Sequence, residues 1–320
     1  SNAHINGFKQ VTVDVSPAEP GADSGADYAY VYDSPESDVL TAGPAEAAMD
    51  YGANTLIDVA MLGFDRLYAY SENGGFDEAT LTGSPGIDSL NADPDRCLMY
   101  HAERTYRTDV RGFAVVTVDV SGTETPADSA YIRDSPFDDL FITNGEHATM
   151  NYGGDAWDNI ITIGFKNVLA YSENGGDDAA MLTGSAGLDE FYGLADKSYL
   201  RVDGRTYFHY AAGFSRVEAT GANLGNDIAR LYGSASPTGD RFTASPERAA
   251  IDFGNTGADD VACDGFRLVY ADFSSGGGSN VLWLTDSIGK DRFTASGDSG
   301  SLTDGSRYWI NFHGLGPDDM

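Results

Sequence analysis

The chain has 320 residues and a formal net charge of −31, from 50 acidic and only 19 basic side chains. This charge argues against nucleic acid and anionic membranes as partners, because both are bound through cationic surface. Membrane insertion is not expected either, since no apolar run reaches the length of a membrane span, and residues 1–3 have the character of an expression-tag remnant.

Six copies of one repeat make up residues 4–320. Each copy is marked by a Gly-Phe pair: Gly7-Phe8, Gly63-Phe64, Gly112-Phe113, Gly164-Phe165, Gly213-Phe214 and Gly265-Phe266, with a degenerate seventh marker at Gly314-Leu315. Self-similarity at a fixed period of about 50 residues indicates a solenoid, a propeller or another array. We predict a single elongated repeat domain over residues 4–320, with repeats that begin at residues 7, 63, 112, 164, 213 and 265, as part of a larger chain.

Two strands are predicted in each repeat. The first follows the marker and alternates apolar and polar residues, as in Val11, Val13 and Val15, which is the period of a strand with one buried face. The second has its inward residues two apart, as in Ala79 and Leu81. A Gly- or Pro-rich turn joins the two strands, as is typical of short strands bounded by turns.

Four columns of residues recur around the second strand. An acidic or amide residue precedes it, at Asp27, Asp77, Asp128, Asp178, Asp227 and Asn280. A serine follows it, at Ser34, Ser84, Ser135, Ser185, Ser234 and Ser287. An aspartate comes next, at Asp38, Asp88, Asp139, Asp189, Asp240 and Asp291, and a large apolar residue lies two positions later, at Leu40, Leu90, Phe141, Phe191, Phe242 and Phe293.

The underlying duplication is a pair of repeats. Repeats two and four share Tyr-Ser-Glu-Asn-Gly-Gly at residues 70–75 and 171–176. Repeats two, four and six carry Arg and then Tyr near their ends: Arg104 and Tyr106, Arg205 and Tyr207, and Arg307 and Tyr308. The predicted fold class is all-β, a right-handed parallel β-helix with about two coils in each repeat, because stacked coils require the same inward residue type in every repeat. A six-bladed β-propeller is the alternative.

The turns resemble those of a known family. Residues 83–90, Gly-Ser-Pro-Gly-Ile-Asp-Ser-Leu, and residues 184–191, Gly-Ser-Ala-Gly-Leu-Asp-Glu-Phe, resemble the haemolysin-type, calcium-binding turns of secreted RTX β-rolls. The whole chain resembles the repeat regions of large secreted or surface β-solenoid proteins of bacteria. This resemblance implies a parallel solenoid, a secreted or cell-surface location, and calcium as the one expected cofactor.

Two sets of side chains are candidate binding sites. The resemblance implies calcium ligation at Asp77, Asp88, Asp178 and Asp189, since calcium takes carboxylate oxygens, but an Asp in each turn can equally cap that turn. Outward tyrosines are candidates for glycan binding: Tyr68, Tyr70, Tyr171 and Tyr270. The alternative is that these rings only stack on one another.

The predicted function is a non-catalytic structural or adhesive segment of a secreted or cell-surface protein, with polysaccharide or another surface protein as its partner. Near-copies of one repeat argue against an enzyme, because catalysis needs one unique constellation of groups. The alternative is a polysaccharide-binding or polysaccharide-degrading β-helix, a lyase or glycoside hydrolase, with Arg205, Tyr207 and His209 as the candidate catalytic residues.

Overall fold

A computed structural model describes residues 10–15, 26–52, 57–103, 105–122, 128–154, 159–221, 226–275 and 277–315. These residues form a β-solenoid of two parallel-rich sheets, sheet A and sheet B, which confirms the predicted solenoid over the propeller. Their one helix is a 3-10 turn, Asp203–Arg205, and none of their helices has the length and apolar character of a membrane span. The marker Gly7-Phe8 lies outside the described residues.

The first fifteen strands, in chain order, are β1 Val11–Asp14, β2 Tyr28–Tyr32, β3 Val39–Ala42, β4 Glu46–Asp50, β5 Val59–Leu62, β6 Arg66–Tyr70, β7 Glu78–Thr82, β8 Asp88–Asp93, β9 Arg96–His101, β10 Arg107–Arg111, β11 Val115–Asp119, β12 Ser129–Arg133, β13 Leu140–Asn144, β14 His147–Asn151 and β15 Ile160–Ile163. The other fifteen are β16 Asn167–Tyr171, β17 Ala179–Thr183, β18 Glu190–Gly193, β19 Lys197–Val202, β20 Tyr207–Ala212, β21 Arg216–Thr220, β22 Ile228–Tyr232, β23 Arg241–Ala244, β24 Arg248–Asp252, β25 Val261–Asp264, β26 Leu268–Asp272, β27 Val281–Leu284, β28 Arg292–Ser296, β29 Ser299–Thr303 and β30 Trp309–His313.

The chain divides into two compact bodies. The N-terminal body holds residues 1–133 and 149–166, and the C-terminal body holds residues 134–148 and 167–320. In the N-terminal body, sheet A runs β1-β5-β4-β3-β7-β11-β15 and sheet B runs β2-β6-β10-β9-β8-β12. In the C-terminal body, sheet A runs β13-β17-β21-β25-β24-β23-β27 and sheet B runs β16-β20-β19-β18-β22-β26-β30-β29-β28.

Each repeat makes three passes through the sheets, where two coils were predicted. In repeat two, β6 lies in sheet B, β7 lies in sheet A, and β8, β9 and β10 return to sheet B as an antiparallel meander. Strands of neighbouring repeats pair in parallel, as β7 with β11 and β8 with β12. The middle strand of each meander is the element that the prediction of purely parallel coils missed.

An odd number of passes explains why the sequence duplicates in pairs of repeats. After three passes the next repeat begins in the opposite sheet. A given position of the repeat therefore returns to the same sheet only after two repeats. Leu81 and Ile132 hold the same column of the repeat, yet Leu81 lies in sheet A and Ile132 in sheet B. Two whole coils in each repeat, as predicted from the sequence, would have placed Leu81 and Ile132 in one internal row, and that expectation is wrong.

The Gly-Phe marker is a turn that only glycine can make. Gly112 and Gly213 have φ angles of 75° and 81°, a region that disfavours every other residue. An added Cβ at these two positions would lie 2.2 Å and 2.1 Å from the carbonyl oxygens of Ser71 and Ser172. Gly314 has the same conformation, with φ of 81°, so the degenerate seventh marker keeps the geometry of the others.

Candidate binding face

The outer surfaces of the two sheets carry different chemistry in the N-terminal body. The strands of sheet B hold seven tyrosines and five arginines: Tyr28, Tyr30, Tyr32, Arg66, Tyr68, Tyr70, Arg96, Tyr100, Arg107, Arg111, Tyr131 and Arg133. The seven described strands of sheet A in this body hold no aromatic and no basic residue. One broad face of this acidic protein is therefore both aromatic and cationic.

The Tyr–Arg face is the part of this surface on β2, β6, β10 and β9, and it consists of Tyr28, Tyr30, Tyr32, Arg66, Tyr68, Tyr70, Arg96, Arg107 and Arg111. The parallel register of β2 and β6 sets Tyr30 beside Tyr68 and Tyr32 beside Tyr70. The ring centroids of these pairs lie 5.0 Å and 5.1 Å apart, with interplanar angles of 11° and 15°. Tyr68 and Tyr70, two of the predicted outward tyrosines, therefore stack on neighbouring rings. Stacking of this kind is also what the alternative interpretation, rings that only stack on one another, predicts.

Strand β2 supplies the most accessible rings, which the sequence interpretation did not single out. Tyr30 and Tyr32 are 57% and 51% exposed, because β2 is the outermost strand of sheet B. Arg66 lies over the ring of Tyr28 with its guanidinium carbon 5.2 Å from the centroid, within the range of a cation–π contact. The signal in the sequence was the alternation Tyr-Ala-Tyr-Val-Tyr at residues 28–32.

Asp109 organises the cationic part of the Tyr–Arg face. Its carboxylate accepts hydrogen bonds from Arg96, Arg107 and Arg111 at 2.6, 2.9 and 3.2 Å. Burial raises the pKa of the Asp109 carboxyl, but the hydrogen bonds from the three guanidinium groups outweigh that effect and hold the pKa at about 2. Three cations around one anion leave a local excess of positive charge.

A second Tyr–Arg face lies on the outer side of sheet B of the C-terminal body, and it consists of Arg230 and six tyrosines: Tyr171, Tyr192, Tyr199, Tyr210, Tyr232 and Tyr270. Tyr207, the seventh tyrosine of that body's described strands, is also in sheet B but shares the inward side of β20 with His209. Tyr192 and Tyr199 stack with centroids 4.5 Å apart. The guanidinium of Arg230 lies between Tyr192 and Tyr270, 5.2 Å and 5.7 Å from their centroids. Tyr171 and Tyr270, two of the predicted glycan-binding residues, belong to this surface.

The four carboxylates predicted to bind calcium form a ladder of turn caps. Asp88 accepts the backbone N–H and the hydroxyl of Ser84 at 2.7 Å and 2.9 Å, and its own N–H donates to Asp128 at 2.7 Å. Asp189 has the same bonds with Ser185 and Asp227. Among the described residues no group of three or more His, Cys, Asp or Glu could hold a metal.

Asp77 and Asp178 are the acceptors of the same ladder. Asp77 accepts the N–H of Asp38 at 2.7 Å and the hydroxyl of Ser71 at 2.6 Å. Asp178 repeats this arrangement with Asp139 and Ser172. Each of these two carboxylates accepts one backbone N–H from the turn of the preceding repeat and one serine hydroxyl of its own repeat. This is the turn-capping interpretation, and calcium binding stays a prediction of the resemblance.

The three candidate catalytic residues do not share one accessible surface. Arg205 lies in the 3-10 turn, and its guanidinium is 3.4 Å from the carboxylate of Glu190. The hydroxyl of Tyr207 donates to Glu146 at 3.4 Å. His209 is fully buried between Val168 and Leu200 of the neighbouring strands, so a substrate in solvent does not reach its imidazole.

His209 makes the C-terminal body sensitive to acid. Neither imidazole nitrogen has a hydrogen-bond partner among the described residues. Burial lowers the pKa of His209 to about 4, and the backbone of Gly145 offsets part of this shift. The same column holds Thr108 in repeat two and Ile310 in repeat six, because each lies in parallel register with the strand that follows its marker.

We expect the free energy of unfolding to fall by up to about 3 kcal/mol between pH 6.5 and pH 4, and to lose nothing further from His209 below that. The unfolded chain binds a proton at His209 below pH 6.5, whereas the folded chain excludes it until pH 4. Urea unfolding at several pH values measures the loss, and His209→Ile, with the residue of repeat six, should remove this part of the pH dependence. An unchanged pH profile in His209→Ile would contradict the assignment.

Comparison with known proteins adds no relative: neither a protein family, nor a curated protein, nor a solved structure matches this chain. The chemistry of the two Tyr–Arg faces and the repeat itself are therefore the evidence for function.

Proposed function

We propose that this chain is a non-catalytic adhesive segment of a secreted or cell-surface protein, and that it attaches to polysaccharide through its Tyr–Arg faces. The observation that carries the proposal is the restriction of strand tyrosines to sheet B in each body. A ladder that served stability alone would have no reason to place its strand tyrosines on one sheet only.

The chemistry of these faces suits sugar polymers. A flat ring such as that of Tyr30 offers an apolar surface to the C–H groups of a pyranose, and neighbouring guanidinium groups donate hydrogen bonds to hydroxyls and carboxylates. Strands about 4.8 Å apart repeat such groups in rows, and repeat proteins use such extended surfaces for binding. Multiple weak contacts along one polymer then add up to firm attachment.

Charge favours acidic polysaccharides over neutral ones. The protein carries a net charge of −31, which repels polyanions at long range, but the arginines of the N-terminal body's strands all lie on sheet B. Arg96, Arg107 and Arg111 outnumber the single carboxylate that they surround. Binding through these groups is expected to be specific to this face and to weaken as salt screens the charges.

The test compares Tyr30→Ala/Tyr32→Ala with Thr80→Ala/Thr82→Ala, in affinity electrophoresis through gels that contain an acidic or a neutral polysaccharide. Both double variants change two outward positions of one strand, but β2 lies in sheet B and β7 in sheet A. Loss of two ring contacts of about 1 kcal/mol each should weaken binding tenfold or more in the tyrosine variant. The threonine variant should bind as the wild type does.

Three results would overturn the proposal. The first is that the wild-type chain migrates unretarded through gels of every polysaccharide tested. The second is that the tyrosine variant is retarded as strongly as the wild type, and the third is that both double variants lose binding equally. Circular dichroism of each variant establishes that the fold is intact.

A further inference from the structure

One cleft occurs twice in the structure, once in each body. In the C-terminal body it has a volume of about 220 Å³ and lies at the Gly213-Phe214 marker, between the turn that joins β18 to β19 and the segment that joins β24 to β25. In the N-terminal body it has a volume of about 250 Å³ and lies at the Gly112-Phe113 marker. We call these two clefts the marker clefts.

The two marker clefts have the same walls. Each of the eleven residues that line the C-terminal cleft has a counterpart in the wall of the N-terminal cleft, displaced by the 101 residues that separate the two markers. At the polar positions, Lys197 takes the place of Arg96, and Asp260 takes the place of Asn159. Residues 155–158, beside the N-terminal cleft, lie outside the described residues, so the C-terminal cleft is the one with fully described surroundings.

Two aromatic rings give the C-terminal cleft apolar walls. Phe214 and Phe253 both line it and are both half-buried, so each leaves part of its surface to solvent. Phe113 and Tyr152 hold these positions in the N-terminal cleft. Aromatic walls favour a ligand that has an apolar surface of its own, such as the C–H groups of a sugar ring.

Two polar side chains of opposite sign line the same cleft. The ammonium of Lys197 has one ion-pair partner among the described residues, the carboxylate of Asp196 at 3.5 Å, and the Asp196 side chain is 75% exposed. An exposed pair of this kind is weak, so the ammonium is available to a ligand. The carboxylate of Asp260 accepts the backbone N–H of Phe253 through Oδ2 at 2.6 Å, and its Oδ1 has no donor among the described residues.

We propose that the C-terminal marker cleft binds one uncharged pyranose residue, at a site separate from the Tyr–Arg faces. Its volume lies below the roughly 300–1,000 Å³ typical of pockets for drug-sized ligands, which suits a single sugar. Asp260 repels an anion and Lys197 repels a cation, whereas a wholly apolar ligand would leave both charges without a partner. Hydroxyl groups accept from the ammonium and donate to the carboxylate, while C–H groups pack on Phe214 and Phe253.

NMR titration of the ¹⁵N-labelled chain with the methyl glycosides of glucose, galactose, mannose and N-acetylglucosamine tests the proposal. The amide signals of residues 213–215 should shift with at least one of these sugars. Lys197→Ala should weaken that binding about tenfold, because a hydrogen bond to a charged group is lost. Lys290→Ala is the matched control, since Lys290 is an exposed lysine that does not line the cleft, and it should bind as the wild type does.

Asp260→Asn tests the role of charge in the cleft. The variant should keep its local structure, because Asn159 accepts the N–H of Tyr152 at 2.7 Å in the N-terminal cleft. Glucuronate should leave the amide signals of residues 213–215 unchanged in the wild type, where Asp260 repels it. In Asp260→Asn that repulsion is gone and Lys197 attracts the carboxylate, so the same signals should shift.

Three results would overturn the proposal. One is that residues 213–215 respond to none of the four neutral sugars, and another is that Lys197→Ala binds as tightly as Lys290→Ala. The third is an Asp260→Asn variant whose cleft still excludes glucuronate. Attachment to polysaccharide is measured separately by gel retardation, so a chain that is retarded but whose cleft binds no sugar would refute the cleft assignment alone.

Discussion

Replacing Phe191 with Ala is expected to lower the free energy of unfolding by about 3–5 kcal/mol, whereas Phe293→Ala should cost less than about 1 kcal/mol. The two residues hold the same column of the repeat, but Phe191 is 0% exposed and Phe293 is 59% exposed. Truncation at Phe191 opens a cavity against Phe266, whose ring centroid lies 6.1 Å away. The ring of Phe293 already has solvent on one side, so its truncation removes fewer packing contacts.

Urea unfolding followed by circular dichroism measures both changes. Phe242→Ala provides a second buried member of the column and should behave like Phe191→Ala, since Phe242 is also 0% exposed. Similar losses at Phe191 and Phe293 would mean that the last coil is covered in solution. That outcome would contradict the exposure of Phe293 in the structure.

Much of the fold could be predicted from the sequence because a solenoid repeats its constraints. The marker glycines need a left-handed turn, and the period-two apolar residues need a strand with one buried face. The meanders could not be predicted in the same way. Alternation in Cys97 and Met99 of β9 indicates a strand, but it does not say whether that strand pairs in parallel with another repeat or antiparallel with its own neighbour.

The candidate site could be predicted only in part, for the same reason. Outward tyrosines such as Tyr68 follow from alternation alone, and they do face outward. Their collection on one sheet depends on the odd number of passes, which brings β2 of repeat one beside β6 and β10 of repeat two. The cluster around Asp109 likewise needs β9 and β10 to be neighbours, which the parallel-coil interpretation did not provide.

His209 was assigned to a candidate site because the strands at the end of each repeat were not identified from the sequence. Arg205, Tyr207 and His209 alternate along the sequence, and this alternation suggested that the three side chains share one strand face. Alignment of β10, β20 and β30 places Thr108, His209 and Ile310 in one inward column. An imidazole that shares a column with isoleucine fills space in the core.

The Asp88→Ala variant is expected to lose about 3–5 kcal/mol of unfolding free energy. Asp88 is fully buried and accepts the N–H and hydroxyl of Ser84 together with the hydroxyl of Tyr106 at 2.7 Å. Its removal leaves these buried donors without a partner, and each such donor costs about 1–3 kcal/mol. Tyr106→Phe deletes one of the three bonds with its donor and should cost only about 1 kcal/mol.

A substitution at an exposed acidic residue distinguishes the loss of a turn cap from the loss of one negative charge. Glu103→Ala also removes one negative charge from repeat two, but Glu103 is exposed, and it should change stability by less than about 0.5 kcal/mol. If the ladder of aspartates holds the turns together, Asp88→Ala should also loosen the neighbouring repeat, because the uncapped turn no longer fixes the backbone N–H of residue 88, which donates to Asp128 across the interface between coils. Hydrogen exchange of the amides in β8 and β12 reports this directly: exchange should accelerate in both strands, and acceleration in β8 alone would limit the cap to its own turn.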